Sequence, residues 1–217
     1  AVSEVLTKIG KGESKGDHTI TGTIQLDERA WLVVEKIVAV ADGATAKPLR
    51  VLLVGNSQCP AIVSNQMLEK LAASDKGARP IEVVGCIRGG ASLRSHWELG
   101  TGADTARGKI ANGSLDFVVL QDIYNVEEAA FQPYARNFHK LIKESGARTV
   151  LFGTASILSD YPKGFERLHR LHVAMGKELE VPIVDASQAY VRYFGDKPTA
   201  DRMESLFATD RSHPGLQ

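Results

Sequence analysis

From Pro48 onward, short continuous apolar runs alternate with stretches whose apolar residues recur at helical spacing. Arg50-Val51-Leu52-Leu53-Val54 reads as a buried strand, and Ile81 to Ile87 as a second. Asp116 to Gln121 holds a third, Phe117-Val118-Val119-Leu120, and Thr149 to Gly153 and Pro182-Ile183-Val184-Asp185 supply two more. Between them the spacing predicts helices over Ser64 to Ala73, with Met67, Leu68 and Leu71 inward, over Pro133 to Ser145, closed by Gly146, and over Phe165 to Leu179. Strands apolar on both faces, separated by amphipathic helices, require a parallel sheet covered on both sides. The predicted fold is a three-layer α/β/α sandwich with a five-stranded parallel sheet. Ligands of such sheets sit at the carboxyl ends of the strands.

The segment to about Lys47 stands apart as an N-terminal extension, leaving 48–217 as the main domain. Lys8 to Asp17 is rich in Gly, Lys and Ser and reads as mobile. Ile20, Gly22, Ile24 and Leu26 alternate with polar residues, so His18 to Leu26 reads as a strand. Asp27 is a candidate N-cap for a helix carrying Trp31, Val34, Ile37, Val38 and Ala41 on one face, ended by Asp42-Gly43.

Composition removes several function classes. Lys plus Arg equals Asp plus Glu at 26 each, so no basic excess exists to hold a phosphate backbone, and nucleic acid is not an expected partner. No apolar run approaches the roughly 20 residues a membrane span needs. Cys59 and Cys86 lack zinc-ligand spacing; they follow neighbouring predicted strands, so a disulfide is one reading and two small buried thiols the preferred one. The chain opens on Ala-Val-Ser without a methionine, as a processed secreted or periplasmic protein or a trimmed chain would.

The polar groups that carry chemistry fall just after strands: Gly55-Asn56-Ser57, Gly89-Gly90-Ala91-Ser92, and Gln121 to Asn125. Asp210 and His213 lie in a late loop. Ser57 occupies a sharp strand-to-helix turn that exposes its hydroxyl; taken alone it reads as an N-cap. A serine hydroxyl needs a base to become a nucleophile. Histidine supplies one near neutral pH, and a carboxylate holds the imidazole in the useful tautomer. Two intervening residues let Asp210 turn back onto His213.

These blocks resemble the SGNH, or GDSL-like, hydrolases, over residues 50–217. Val54-Gly55-Asn56-Ser57 looks like the family's first block, Gly89-Gly90-Ala91-Ser92-Leu93 with Trp97 like the second, and Asp210-Arg211-Ser212-His213-Pro214 like the last. The resemblance implies a serine esterase with catalytic Ser57, Asp210 and His213, an oxyanion hole from the backbone N–H groups of Ser57 and Gly90, and no metal or organic cofactor. It implies small acyl substrates, O-acetyl groups on carbohydrate among them. The third block departs from the family pattern, reading Leu120-Gln121-Asp122-Ile123-Tyr124-Asn125. One register makes Asn125 the side-chain oxyanion donor, with Asp122 in place of a glycine. The other makes it Gln121, and the first is adopted. His96 and Trp97 are candidates to line the substrate pocket; the alternative reading makes Trp97 core and His96 a polar surface residue.

Several residues take secondary readings. Arg88 suits an anionic substrate or plain surface. His169 and His172, three apart on a helix, are a metal pair without a third ligand and read as a solvated face. Asp185 is an alternative triad acid ranked below Asp210. The competing class is a catalytically silent glycan- or protein-binding domain, favoured by the altered third block. A flavodoxin-like nucleotide binder is disfavoured because no glycine-rich phosphate loop follows the first strand. A domain of this kind closes with a helix after His213, which Pro214 would start; the natural chain is therefore expected to be longer.

Overall fold

The computed structural model describes residues 18–27, 30–39, 47–75, 77–195 and 198–215. Strands β3 (Leu49–Gly55), β4 (Ile81–Ile87), β5 (Phe117–Gln121), β6 (Arg148–Gly153) and β7 (Ile183–Asp185) form one parallel sheet in the order β4-β3-β5-β6-β7. The chain enters next to one edge, runs to that edge and then crosses back. The strand order therefore reverses between β3 and β5, and it is at the carboxyl ends of strands beside such a reversal that parallel sheets bind ligands.

The register places Leu52 beside Val118 and Val54 beside Leu120, with Leu120 beside Leu151, so these buried side chains line one face. Helices α3 (Leu93–Glu98), α4 (Ala106–Asn112), α5 (Glu128–Glu144) and α6 (Lys163–Leu179) supply the other half of that core. Phe131, Ala135, Phe138 and Ile142 form the inward stripe of α5, each fully buried. Val51 and Leu53 point to the opposite face and are buried as well. Both faces of β3 are covered, which is why its sequence from Val51 to Val54 is continuously apolar rather than alternating.

Three expectations need correction. Helix α5 begins at Glu128, ahead of Pro133, which sits inside it. A proline suits a first turn, but burying Phe131, two residues earlier, offsets the backbone hydrogen bond that Pro133 removes. The helix expected over Ser64 to Ala73 is two pieces, α1 (Pro60–Ser64) and α2 (Met67–Ser74), broken at Gln66 with φ 52°. The break rotates α2 so that Leu68 and Ala72 face inward, leaving Met67 48% and Leu71 39% exposed. Third, the helix predicted after Asp27 is a strand: β1 (His18–Asp27) pairs antiparallel with β2 (Ala30–Ala39). Val33, Val34, Ile37 and Val38 are β-branched and suit a pleated strand better than a helix. The expected mobile stretch Lys8 to Asp17, the position of Ala41 and the helix end at Asp42-Gly43 lie outside the described residues.

The C-terminal part adds α7 (Ala186–Phe194), capped by the Asp185 carboxylate, and α8 (Ala200–Glu204). Phe165, Phe194 and Phe207 form a second buried cluster with Ala155. Phe207 also pairs with Pro214, and the backbone N–H of Ala208 donates to the His213 carbonyl. The loop carrying Asp210 to His213 is thus tied at its root to a buried aromatic.

Candidate active site

At the end of β3 the backbone turns sharply into α1. The Asn56 carbonyl accepts from the Cys59 N–H, and the Asn56 side-chain oxygen accepts from the Gln58 N–H at 3.1 Å. Cys59, not Ser57, caps α1, and Pro60 occupies its first turn. Ser57 is therefore no helix cap. It stands at the apex of the turn, and its Oγ hydrogen-bonds His213 Nε2 at 2.9 Å. Gly55 is required by close packing, because a Cβ there would fall 2.6 Å from Gln121 Oε1.

Asp210 meets His213 through a tight turn in which Arg211 takes a left-handed φ of 56°. One Asp210 oxygen accepts from the backbone N–H groups of Ser212 and His213 at 2.9 and 3.0 Å. The other accepts from His213 Nδ1 at 2.6 Å. These backbone donors, His213 first, and then the imidazole hold the Asp210 carboxyl down at about 2. An ionised carboxylate at Nδ1 keeps the proton there, so Nε2 is the acceptor facing Ser57. The side chains of His213 and Asp210 are 40% and 50% exposed, so the pair opens to solvent. Hydroxyl, imidazole and carboxylate in this sequence of contacts can transfer the Ser57 proton.

Gly90 follows β4, directly beside β3, and Arg88 N–H donates to the Gly55 carbonyl to set that turn. The φ of +67° at Gly90 is left-handed, where glycine is least strained. The backbone N–H groups of Ser57 and Gly90 find no acceptor among the described residues. Ser92 closes the turn as the N-cap of α3, accepting from Ser95 N–H.

The third block is arranged differently from either register. Gln121 is fully buried, and its NH2 is committed to Asn56 Oδ1 at 3.2 Å, Gln58 Oε1 at 3.5 Å and the Asp122 carbonyl at 2.5 Å. Its Oε1 accepts from Asn56 N–H at 2.8 Å. Gln121 therefore braces the nucleophile turn rather than offering a free donor. Asn125 is exposed on the β5–α5 loop without a hydrogen bond among the described residues, and Arg167 anchors that loop through the carbonyls of Tyr124 and Val126.

Asp122 is the unexpected member of the block. It is wholly buried; one carboxylate oxygen accepts from Ile123 N–H at 2.7 Å, and the other has no partner. Burial pushes its carboxyl up to about 6. A carboxyl raised in the folded state stabilises the fold below its unfolded value and loses that contribution as pH rises through the folded one. The difference from 3.8 is worth about 3 kcal/mol. The Asp122 contribution to stability is expected to fall between about pH 4 and pH 6, so the melting temperature of Asp122→Asn should gain on that of the wild type over this range; a constant difference between the two would assign the pH dependence elsewhere.

His96 and Trp97 pack into the core. His96 is 0% exposed and hydrogen-bonds the Gly55 carbonyl through Nε2 at 2.9 Å, with Cys86 Sγ 4.0 Å from Nδ1. Burial lowers its pKa, so the neutral ring donates to the end of β3 from beneath. Trp97 packs edge-on against Phe138 with centroids 5.1 Å apart, and Arg107 covers its ring. Both were expected at the substrate because they follow the glycine turn, but α3 directs them into the core.

Arg88 is exposed. His172 is buried rather than solvated, packed on Phe131 and donating to the Leu168 carbonyl from Nδ1. His169 pairs with Asp185 at 2.5 Å, which commits Asp185 away from a triad. No cluster of three or more His, Cys, Asp or Glu suited to a metal occurs among the described residues. Cys59 and Cys86 are both free and buried, and burial pushes the Cys59 thiol up to about 12.

No protein-family model matches the sequence, and no curated protein is significantly similar to it. Solved structures do match. A protein from Slackia heliotrinireducens assigned as an SGNH hydrolase is 23% identical, with 78% of this chain and 91% of that one covered at a TM-score of 0.59. The acetyl xylan esterase AlAXEase gives 13% identity, 77% and 92% coverage and a TM-score of 0.62. Axe2, an acetylxylan esterase from Geobacillus stearothermophilus, gives 14%, 81% and 90%, and 0.57. The chain has the fold of the SGNH hydrolases, a flavodoxin-like parallel sheet with helices on both sides. At these identities the likeness is one of fold.

Proposed function

We propose that this chain is a serine ester hydrolase acting on small acyl esters, with O-acetyl groups on carbohydrate as the preferred class. The observation that carries the proposal is the continuous contact from Asp210 through His213 to Ser57. The acyl preference is supported by similarity of fold to two acetyl xylan esterases. Residues 48–217 make up the hydrolase unit and 1–47 an extension to it.

In this mechanism Ser57 Oγ attacks the ester carbonyl while its proton passes to His213 Nε2. The carbonyl oxygen becomes an oxyanion between the backbone N–H groups of Ser57 and Gly90. Asp210 stabilises the imidazolium. The tetrahedral species collapses, the alcohol leaves with the proton from Nε2, and an acyl-Ser57 ester remains. Water then attacks that ester with the same base, releasing the acid and restoring the hydroxyl. Charge builds at the oxyanion only during attack, so its donors act on turnover more than on substrate affinity.

A fluorophosphonate probe separates this reading from a silent binding domain, which the commitment of the Gln121 amide favours. Stoichiometric labelling mapped to Ser57 is expected. An unlabelled Ser57 in folded protein would end the hydrolase reading.

A further inference from the structure

Gln58, next to the nucleophile, is linked on one side to the sheet and on the other to the loop that carries the base. Its Oε1 accepts from Thr154 Oγ1 and, at 3.5 Å, from Gln121 Nε2. Its Nε2 donates to the carbonyls of Ala155 at 3.5 Å and Ser212 at 3.4 Å. Thr154 and Ala155 follow β6, Gln121 ends β5, and Ser212 lies between Asp210 and His213. The amide spans 154 residues of sequence to reach that last carbonyl.

The orientation of this amide is determined by its surroundings. Reversing it would set Oε1 against two carbonyl oxygens and leave them without a donor, so the NH2 must face Ala155 and Ser212. Gln121, buried and itself locked to Asn56, holds the oxygen end. We propose that Gln58 is a positioning residue for the hydrolase reaction, a crossbar that docks the Asp210–His213 loop onto the strand ends so that Nε2 stays within reach of Ser57. The inference rests on the hydrolase reading above.

The loop needs such a tie because its triad side chains are about half exposed. Elsewhere it is held by the Leu158 N–H on the Arg211 carbonyl, an exposed Arg211–Glu204 pair, and the Phe207–Pro214 bridge at its root. Among the described residues, the Gln58 contact is the one side-chain hydrogen bond from the nucleophile's own turn to the backbone of the base-bearing loop. Without it the base-bearing loop loses its side-chain tie to the nucleophile's turn, and misplacement by about 1 Å can cost roughly a hundredfold in rate.

The test uses Gln58→Met, which keeps the length and packing of the side chain but has no amide. Gln58→Glu, which keeps the acceptor and loses the donor, is the second variant should the first not fold. Turnover of an aryl acetate is expected to fall about ten- to a hundredfold, with KM within about twofold and melting temperature unchanged. In a His213→Ala background the same substitution should have no further effect on the rate of fluorophosphonate labelling, because the group it positions is gone. Turnover within about twofold of wild type overturns the proposal, as does an effect on labelling that persists undiminished in the His213→Ala background. A wild-type protein that labels at Ser57, together with a Gln58→Met variant that turns over like the wild type, refutes the crossbar and leaves the hydrolase. Failure of the wild type to label refutes the hydrolase itself.

Discussion

Ser57→Ala is expected to lower the turnover of a short-chain aryl ester by about a million-fold, the scale of losing one member of a catalytic triad. Melting temperature should barely change. The Ser57 hydroxyl makes one side-chain contact, to His213 Nε2, and caps no helix. The turn around it is held by the Asn56 carbonyl and side chain, which the substitution leaves in place. The stability contribution of one half-exposed hydroxyl is about 1 kcal/mol. Activity and stability are therefore separable at this position, and steady-state rates measured beside a melting curve decide the assignment. A variant retaining most of its turnover with an unchanged melting temperature would place the nucleophile elsewhere.

The sheet was legible because the middles of β3, β5 and β6 are covered on both faces, and a stretch so placed is apolar at consecutive positions. The expected strand at Phe117 to Leu120 lies within β5 for that reason. Helix phase was less legible. Met67 and Leu71 are apolar but exposed, since the break at Gln66 is a backbone event that periodicity does not register. The segment from Trp31 carries apolar residues at both helical and strand spacings, and pairing with β1 is a non-local contact that local spacing does not encode.

The site divides in the same way. Asp210 and His213 are three residues apart, so their contact is nearly local and could be read from the loop. Ser57 is read from its position after a strand. The contacts of Gln121, Gln58 and His96 span 65, 154 and 41 residues, and their roles come from what the fold brings to them. A glutamine following a serine has no signature in the sequence. Asp122 was read as a substitute for glycine, yet it is a buried carboxylate at the end of β5. Polar residues clustered at strand ends were the available signal, and it marks the site without saying which of them face it.

Asp210→Asn is expected to reduce turnover by about ten-thousand-fold while leaving the loop folded. An asparagine oxygen can still accept from the backbone N–H groups of Ser212 and His213, so the turn survives. The NH2 then faces His213 Nδ1, which must lose its proton to accept from it. The imidazole proton moves to Nε2, the nitrogen that has to take the proton from Ser57, and the base is disabled by tautomer rather than by distance. Asp210 is held at about 2, below its ordinary value, so any stability from its ionised form is fully present above about pH 4 and is lost as pH falls through 2. Crystallography or imidazole NMR of Asp210→Asn should find the ring in place with its proton on Nε2. Retained turnover with that tautomer would mean that Ser57 is activated by a group other than His213, because an Nε2 that already carries a proton cannot take the one from Ser57.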